Sequence, residues 1–227
     1  MRINININFK NLSVGRVIKF FVLSDLFLWG GWGLINPLLA LFITQKVHAS
    51  FFVVGSVYSV YWITKSVIQI PVAVFLDKHP GEKDDFYALI SALTLAGFAA
   101  ILFLTVRSTL ELYLVTFLQG IAFGLYSPSW NAIFSRHLDK DRYSLDWSLD
   151  STTIGIVSGV AAFIGGFLSK NFGFNIVFIL TGFLSLGSSL MLLSIPDLIL
   201  PKPTIRVPFI YKNTSKDIPT PVEIKKM

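Results

Sequence analysis

Six long apolar stretches fill most of the chain and constrain its fold more than any other feature. They cover residues 17–44, 51–76, 86–106, 110–133, 147–168 and 172–195. Each is about 20 residues or longer, which is the length that an α-helix needs to cross the hydrocarbon core of a bilayer. Membrane β-strands would alternate apolar and polar residues over about ten positions, whereas these stretches are apolar on nearly every face. The sequence therefore predicts an all-α polytopic membrane protein with six transmembrane helices.

Charged residues are scarce within these stretches and concentrated between them. Hydrophobic residues make up 53% of the chain and charged residues 14%, whereas a soluble domain carries about 25% charged residues. With the amino terminus in the cytoplasm, fifteen of the 19 Lys and Arg residues fall on the cytoplasmic side, three on the opposite side, and Lys65 within a span. This positive-inside bias predicts a protein of the plasma (inner) membrane with both termini cytoplasmic. It also accounts for the net charge of +6 without nucleic-acid binding.

The predicted domain organisation has three parts. A cytosolic arm covers residues 1–16, the transmembrane domain covers 17–195, and a basic, proline-rich tail that we expect to be disordered covers 196–227. The chain contains no cysteine, so disulfides and thiolate chemistry are excluded. It also contains no phosphate loop of the P-loop type, and its three histidines fall in three different loops. We therefore expect no ATP dependence, no cofactor, no metal site and no enzymatic activity.

The loops divide the six helices into two triplets that cross the membrane in opposite directions. The first helix of each triplet carries an unusual Gly/Pro/Trp segment, GGWGLINP at 30–37 and GIAFGLYSPSWN at 120–131. Matched, interrupted segments in inverted repeats indicate a transport pathway. The alternative is that these residues only allow close helix packing or a kink.

Two of these regions carry a family resemblance. The loop after the second helix has Asp77 and Lys78 where major facilitator superfamily transporters have an Asp-Arg pair, and the fourth helix has Gln119, Gly120, Gly124 and Pro128 at matching positions. The chain thus resembles the amino-terminal half of that family over residues 15–195, as a half-size, six-helix member.

The resemblance implies transport of a small solute across a lipid bilayer by alternating access, as a secondary transporter coupled to protons or sodium or as a facilitator. Family members usually contain two six-helix halves, so a homodimer or a second six-helix partner is implied as the working unit. The alternative is a non-transporting membrane scaffold or assembly subunit that retains the fold. An enzyme acting on lipid headgroups is a third, weaker alternative.

Three helical stripes mix polar and aromatic side chains, as the wall of a cavity for an amphipathic organic molecule does. The predicted pathway residues on these stripes are Asp25, Trp29, Trp32 and Asn36 on the first helix, Trp62, Lys65 and Gln69 on the second, and Gln119 and Tyr126 on the fourth. Asp25 and Lys65 lie at similar depths, so they can pair, either in the pathway or as a structural ion pair. The alternatives are that Lys65 reaches toward the membrane surface, and that the glutamines only join helices.

Charged residues at the cytoplasmic ends of the helices are candidates for a gate. They are Asp77, Lys78, Arg136, Asp146 and Asp150. Asp77 takes this role from the family resemblance, and Asp146 and Asp150 can contact Arg136 or Arg142 or favour the amino terminus of the fifth helix. The neighbouring Glu82, Asp84 and Asp85 are expected to form a solvated face rather than a metal site.

Overall fold

The computed structural model of the chain describes residues 14–78, 81–196 and 200. Within them the chain is helical and contains no strand. The helices are α1 (Arg16–Ile35), α2 (Leu39–Gln45), α3 (Phe51–Lys78), α4 (Lys83–Leu102), α5 (Thr109–Arg136), α6 (Tyr143–Phe172) and α7 (Phe174–Leu193), with a 3₁₀ turn at Phe103–Thr105. The predicted arm as far as residue 13, and the predicted tail apart from Pro196 and Leu200, lie outside the described residues.

Six of these segments are long and apolar enough to cross a membrane, with α1 and α2 together forming the first. The six predicted spans are thus confirmed, with two differences in detail. The first span is not one continuous helix: it breaks at residues 36–38, where Pro37 has no N–H to donate to a helical hydrogen bond. The fifth span runs over Tyr143–Phe172 rather than 147–168, because the polar residues that flank its apolar stretch continue the helix.

The helices pack in two rows. The first row runs α3, α5, α1, α6, and the second row holds α4 and α7. In the first row α3 packs on α5 and α6 packs on α1, whereas α1 and α5 touch at few positions. Exchanging α1, α3 and α4 for α5, α6 and α7 leaves the main helix pairs unchanged, which is consistent with two inverted three-helix repeats.

Glycine allows close approach within the first row. A Cβ atom on Gly120 of α5 would lie 2.7 Å from Cβ of Thr64 on α3, and one on Gly165 of α6 would lie 2.5 Å from the carbonyl oxygen of Leu34 on α1. Small residues that let backbones meet in this way are typical of membrane helix pairs. The packing alternative therefore explains Gly120, and α5 continues through Pro128 to Arg136.

Hydroxyl groups join α7 to one helix of each row. Ser188 on α7 shares a 2.7 Å hydrogen bond with Ser24 on α1, and Ser189 shares a 2.8 Å bond with Thr94 on α4. Such interhelical bonds contribute about 0.6 kcal/mol each in a membrane protein. The Ser24–Ser188 bond holds α1 against α7, and so helps to set the position of the functional residues on α1.

Candidate functional site

A cavity of about 320 Å³ opens between α1, α3 and α5, in the half of the bundle nearest α2. This volume is at the lower end of the range of about 300–1,000 Å³ that small-molecule sites occupy. Its lining residues are Trp29, Trp32, Asn36, Leu39, Val57, Tyr58, Tyr61, Trp62, Lys65, Thr116, Gln119 and Phe123. Half of these residues are aromatic, and a few polar groups lie among the rings.

The cavity exists because large rings separate α1 from α5. The Phe123 ring centroid lies 5.3 Å from that of Trp32 and 5.8 Å from that of Trp29. Trp29 and Trp32 are three residues apart and therefore share one face of α1. The three rings lie between α1 and α5 and keep the two helices apart, and the cavity is the space beside the rings.

Six of the nine predicted pathway residues line this cavity: Trp29, Trp32, Asn36, Trp62, Lys65 and Gln119. Three do not. Gln69 lines a separate groove between α3 and α5 together with Asp77, and Asp25 and Tyr126 are buried outside the cavity wall.

Three lining residues with polar groups are not among the nine predicted pathway residues: Tyr58, Tyr61 and Thr116. Each lies one helical turn before a predicted residue, because Tyr58 precedes Trp62 by four positions, Tyr61 precedes Lys65 by four and Thr116 precedes Gln119 by three. This turn spacing was the available signal for all three.

Lys65 lies at the middle of α3, with its Nζ atom 4.9 Å from the centre of the Trp62 ring. This geometry is a cation–π contact. Among the described residues, no carboxylate lies within ion-pair distance of Lys65. The suggested pairing of Asp25 with Lys65 is therefore wrong: α1 packs mainly on α6 and α7 rather than on α3, so similar depth does not bring the two side chains together.

Asp25 instead belongs to a buried polar cluster on α1, α5 and α6. Its side chain is 1% exposed, and its Oδ1 atom accepts a 2.5 Å hydrogen bond from the Tyr126 hydroxyl. The carboxyl group of Asp150 lies close to it, on α6. Asp25 and Asp150 each keep one buried oxygen without a donor in the described part of the chain.

The predicted gate residue Arg136 has a different partner from the expected one. Its guanidinium forms an ion pair with Asp85 and also donates a 3.4 Å hydrogen bond to the carbonyl oxygen of Gly81. It thus does not join Asp146 or Asp150. The prediction that Asp85 lies on a solvated face was also wrong, because Asp85 is only 1% exposed.

The other predicted gate residues lie apart from this ion pair. Asp77 and Lys78 are exposed at the end of α3. Asp146 is buried and accepts a 2.8 Å hydrogen bond from the backbone N–H of Asp139. The Asp139 carboxylate accepts a 2.9 Å bond from the backbone N–H of Gly15. Asp146 therefore fixes the loop before α6 and, through it, the start of α1.

Nothing in the described residues is arranged as a metal centre: no group of three or more His, Cys, Asp or Glu side chains is placed to hold an ion. The cavity is thus the site with the most developed geometry in the described chain.

The family assignment rests on sequence as well as on this arrangement. The sequence model described as Major Facilitator Superfamily matches residues 21–212 of the 227. The chain belongs to the Major Facilitator Superfamily. No curated protein matches the chain. As a member of this superfamily the protein is integral to a membrane and serves the transport of small solutes, and its six helices correspond to one of the two halves of which such transporters are built.

Proposed function

We propose that this superfamily member is a secondary transporter or facilitator that moves a small organic solute by alternating access. The observation that carries the proposal is the aromatic cavity, which three helices of the two repeats build together. Trp62 lines this cavity and yet is 56% exposed, so the chain supplies only part of the wall. A solute bound there is held by Trp32 and Gln119 from the chain's own side.

A second copy of the chain supplies the rest of the wall in this proposal. In the apolar parts of the flanking helices of the first row, α3 and α6, only 11% of the residues are buried, whereas 44–61% are buried in the other spans. We place a twofold axis along the membrane normal, next to the face of the first row that points away from α4 and α7. This axis brings α3 of one copy opposite α6 of the other. The two half-cavities then face each other and form one central site, as the two halves of superfamily members do.

The membrane orientation follows from the charge bias in this proposal. The protein lies in the plasma membrane with both termini cytoplasmic, so the cavity is in the outer half of the bundle. Asp77, Lys78, Asp146, Asp150 and the Arg136–Asp85 pair are then nearer the cytoplasm. We assign this end to the inner gate, where solute passage requires rearrangement of those contacts.

Transport is tested in liposomes that contain the purified protein. Uptake of a panel of labelled aromatic acids, amines, amides and sugars is measured with a proton gradient, a sodium gradient or neither. The variants Trp32→Ala and Gln119→Ala should reduce uptake at least tenfold, because both residues line the cavity. Phe183→Ala, on the exposed side of α7, is the matched control and should leave uptake unchanged. If the wild-type protein moves no member of the panel, the scaffold alternative is supported instead.

Pairing of two copies is tested separately by disulfide cross-linking. The natural sequence contains no cysteine, so only introduced cysteines can form disulfides. Ser66→Cys and Ile156→Cys each place one thiol at the middle of a flanking helix, α3 or α6. Mixing the two single variants with different tags should give a mixed disulfide in lipid. Phe183→Cys on α7 is the control and should give none. Mixed cross-links no more abundant than those of the control would contradict the twofold arrangement.

A further inference from the structure

We infer that the solute of this cavity is an amphipathic organic anion, a ring or short chain with one carboxylate, and that its acidic group binds beside Lys65. The inference rests on the proposed transport function and adds to it the chemical class of the substrate. A pathway that contained Asp25 would instead favour a solute of the opposite charge, a cation.

The charge of the cavity is the first argument. Of the lining residues within the described chain, Lys65 alone carries a charge. It lies about 20 Å from either end of α3 at a rise of 1.5 Å per residue, which is too far for its side chain to reach either membrane surface. A cation at that depth is costly unless it is paired, and the described residues supply no carboxylate for it. A bound anion supplies the missing partner.

The position of Asp25 is the second argument. Asp25 would draw a cation if it lined the cavity, but the Tyr126 hydroxyl occupies its Oδ1 atom and the side chain is buried. Trp29 and Phe123 line the cavity and both pack against Tyr126, with ring centroids 6.5 Å and 6.0 Å from that of Tyr126. The Asp25 carboxyl group is thus separated from the cavity by three aromatic rings.

The third argument is that the cavity combines neutral hydrogen-bonding groups with aromatic surface, which together can bind a carboxylic acid that carries a ring. Trp32 and Gln119 are 1% and 6% exposed, and the Trp32 indole N–H and the Gln119 carbonyl oxygen have no hydrogen-bond partner in the described structure. The indole N–H can only donate, so together with the Lys65 ammonium group it can hold a carboxylate. The Gln119 carbonyl oxygen can only accept, so it suits a donor elsewhere on the solute, such as a hydroxyl group. The rings of Trp29, Tyr61 and Phe123 provide apolar surface for the remainder of the molecule.

Binding of matched probes tests the inference without requiring transport. The probes are 3-phenylpropionate, its neutral amide and 3-phenylpropylammonium, titrated by calorimetry into the wild-type protein in nanodiscs of neutral phosphatidylcholine. They share one ring and differ mainly in charge. We expect the carboxylate to bind at least tenfold more tightly than the ammonium ion. Lys65→Gln should reduce carboxylate affinity about tenfold, and Lys65→Arg should retain it.

Lys170→Gln is the matched control, because Lys170 is exposed at the far end of α6 and does not line the cavity. It should leave the preference for the carboxylate unchanged. The inference is overturned if the ammonium ion binds as tightly as the carboxylate, if Lys170→Gln weakens carboxylate binding as much as Lys65→Gln does, or if no probe binds at 10 mM, roughly the weakest affinity expected of a fragment. If the carboxylate preference holds and liposomes show no uptake, the transport proposal fails while the binding inference stands.

Discussion

Tyr126 on α5 donates a 2.5 Å hydrogen bond to Asp25 on α1, and so joins two helices that otherwise touch at few positions. The bond lies behind the cavity wall, because Tyr126 packs against the lining residues Trp29 and Phe123. Tyr126 thus supports the wall of the candidate solute site and also belongs to the buried polar cluster of Asp25.

Replacing Tyr126 with Phe should lower the free energy of unfolding by about 1–3 kcal/mol, the cost of leaving a buried acceptor without its hydrogen-bond donor. The ring remains, but Asp25 loses its donor and keeps a buried carboxyl group. The measurement is thermal unfolding in detergent micelles, followed by tryptophan fluorescence. Tyr113→Phe is the matched control, because Tyr113 shares a 2.5 Å bond with the neutral hydroxyl of Ser56. It should cost only about 0.5–1.5 kcal/mol, and an equal or larger loss in Tyr113→Phe would contradict the assignment.

Replacing Asp150 with Asn should leave the unfolding temperature unchanged or raise it. An amide can donate a hydrogen bond to Asp25 and removes one of two acidic groups that repel each other when both are ionised. Asp150→Ala should lower the unfolding temperature instead, because it leaves Asp25 without that partner. The three proteins are compared at one pH in the same lipid mixture. The proposed contact is not present if the Asn and Ala variants are destabilised to the same extent.

Adding a methyl group at Gly165 should destabilise the bundle by about 1–3 kcal/mol, the usual cost of overpacking. A Cβ atom there meets the backbone of Leu34, which cannot move aside without shifting α1. Gly166 is the control on the same helix, since a Cβ atom there would have nothing within 4 Å. Gly166→Ala should be neutral or stabilise by up to about 1 kcal/mol through helix propensity. Similar unfolding temperatures for the two variants would show that α1 and α6 do not approach each other this closely.

Removing the guanidinium of Arg136 should cost about 1–3 kcal/mol, because it leaves the buried Asp85 carboxylate without its charged partner. Arg136→Gln is measured by thermal unfolding beside Lys140→Gln, which removes an exposed positive charge from the following loop. The double variant Arg136→Gln/Asp85→Asn should recover part of the loss. Without any recovery, the two residues do not act as a pair.

The fold was largely predictable because a bilayer leaves few alternatives. Backbone groups in hydrocarbon must be bonded within helices or closed barrels, so the length and uniform apolar character of each stretch were sufficient to predict six spans. The break at residues 36–38 also had a signal in Pro37. The extension of α6 to Tyr143 had none in hydropathy, because helices extend beyond the hydrocarbon core.

The site was predictable only in part, because depth along a helix does not determine which helices face each other. Asp25 lies nine residues beyond the start of α1 and Asp150 seven beyond the start of α6, about 14 and 11 Å in. Lys65 is thirteen residues from the end of α3, about 20 Å in. With these helix bounds the depth of Asp25 is closer to that of Asp150 than to that of Lys65, whereas the predicted spans and the opposite charge both favoured Lys65. The burial of Asp85 depends on α4 packing against α5, which no local pattern reveals.

The glycine seams have a mechanical consequence. Because Gly120 and Gly165 have no side chain, α5 packs closely on α3 and α6 packs closely on α1. Sliding or separating either pair is therefore costly. Each pair then behaves as one rigid unit, and the distance between α1 and α5 is the one that can change most easily. The hydrogen bond from Tyr126 to Asp25 connects the two units, so a molecule that forces them apart must break this bond.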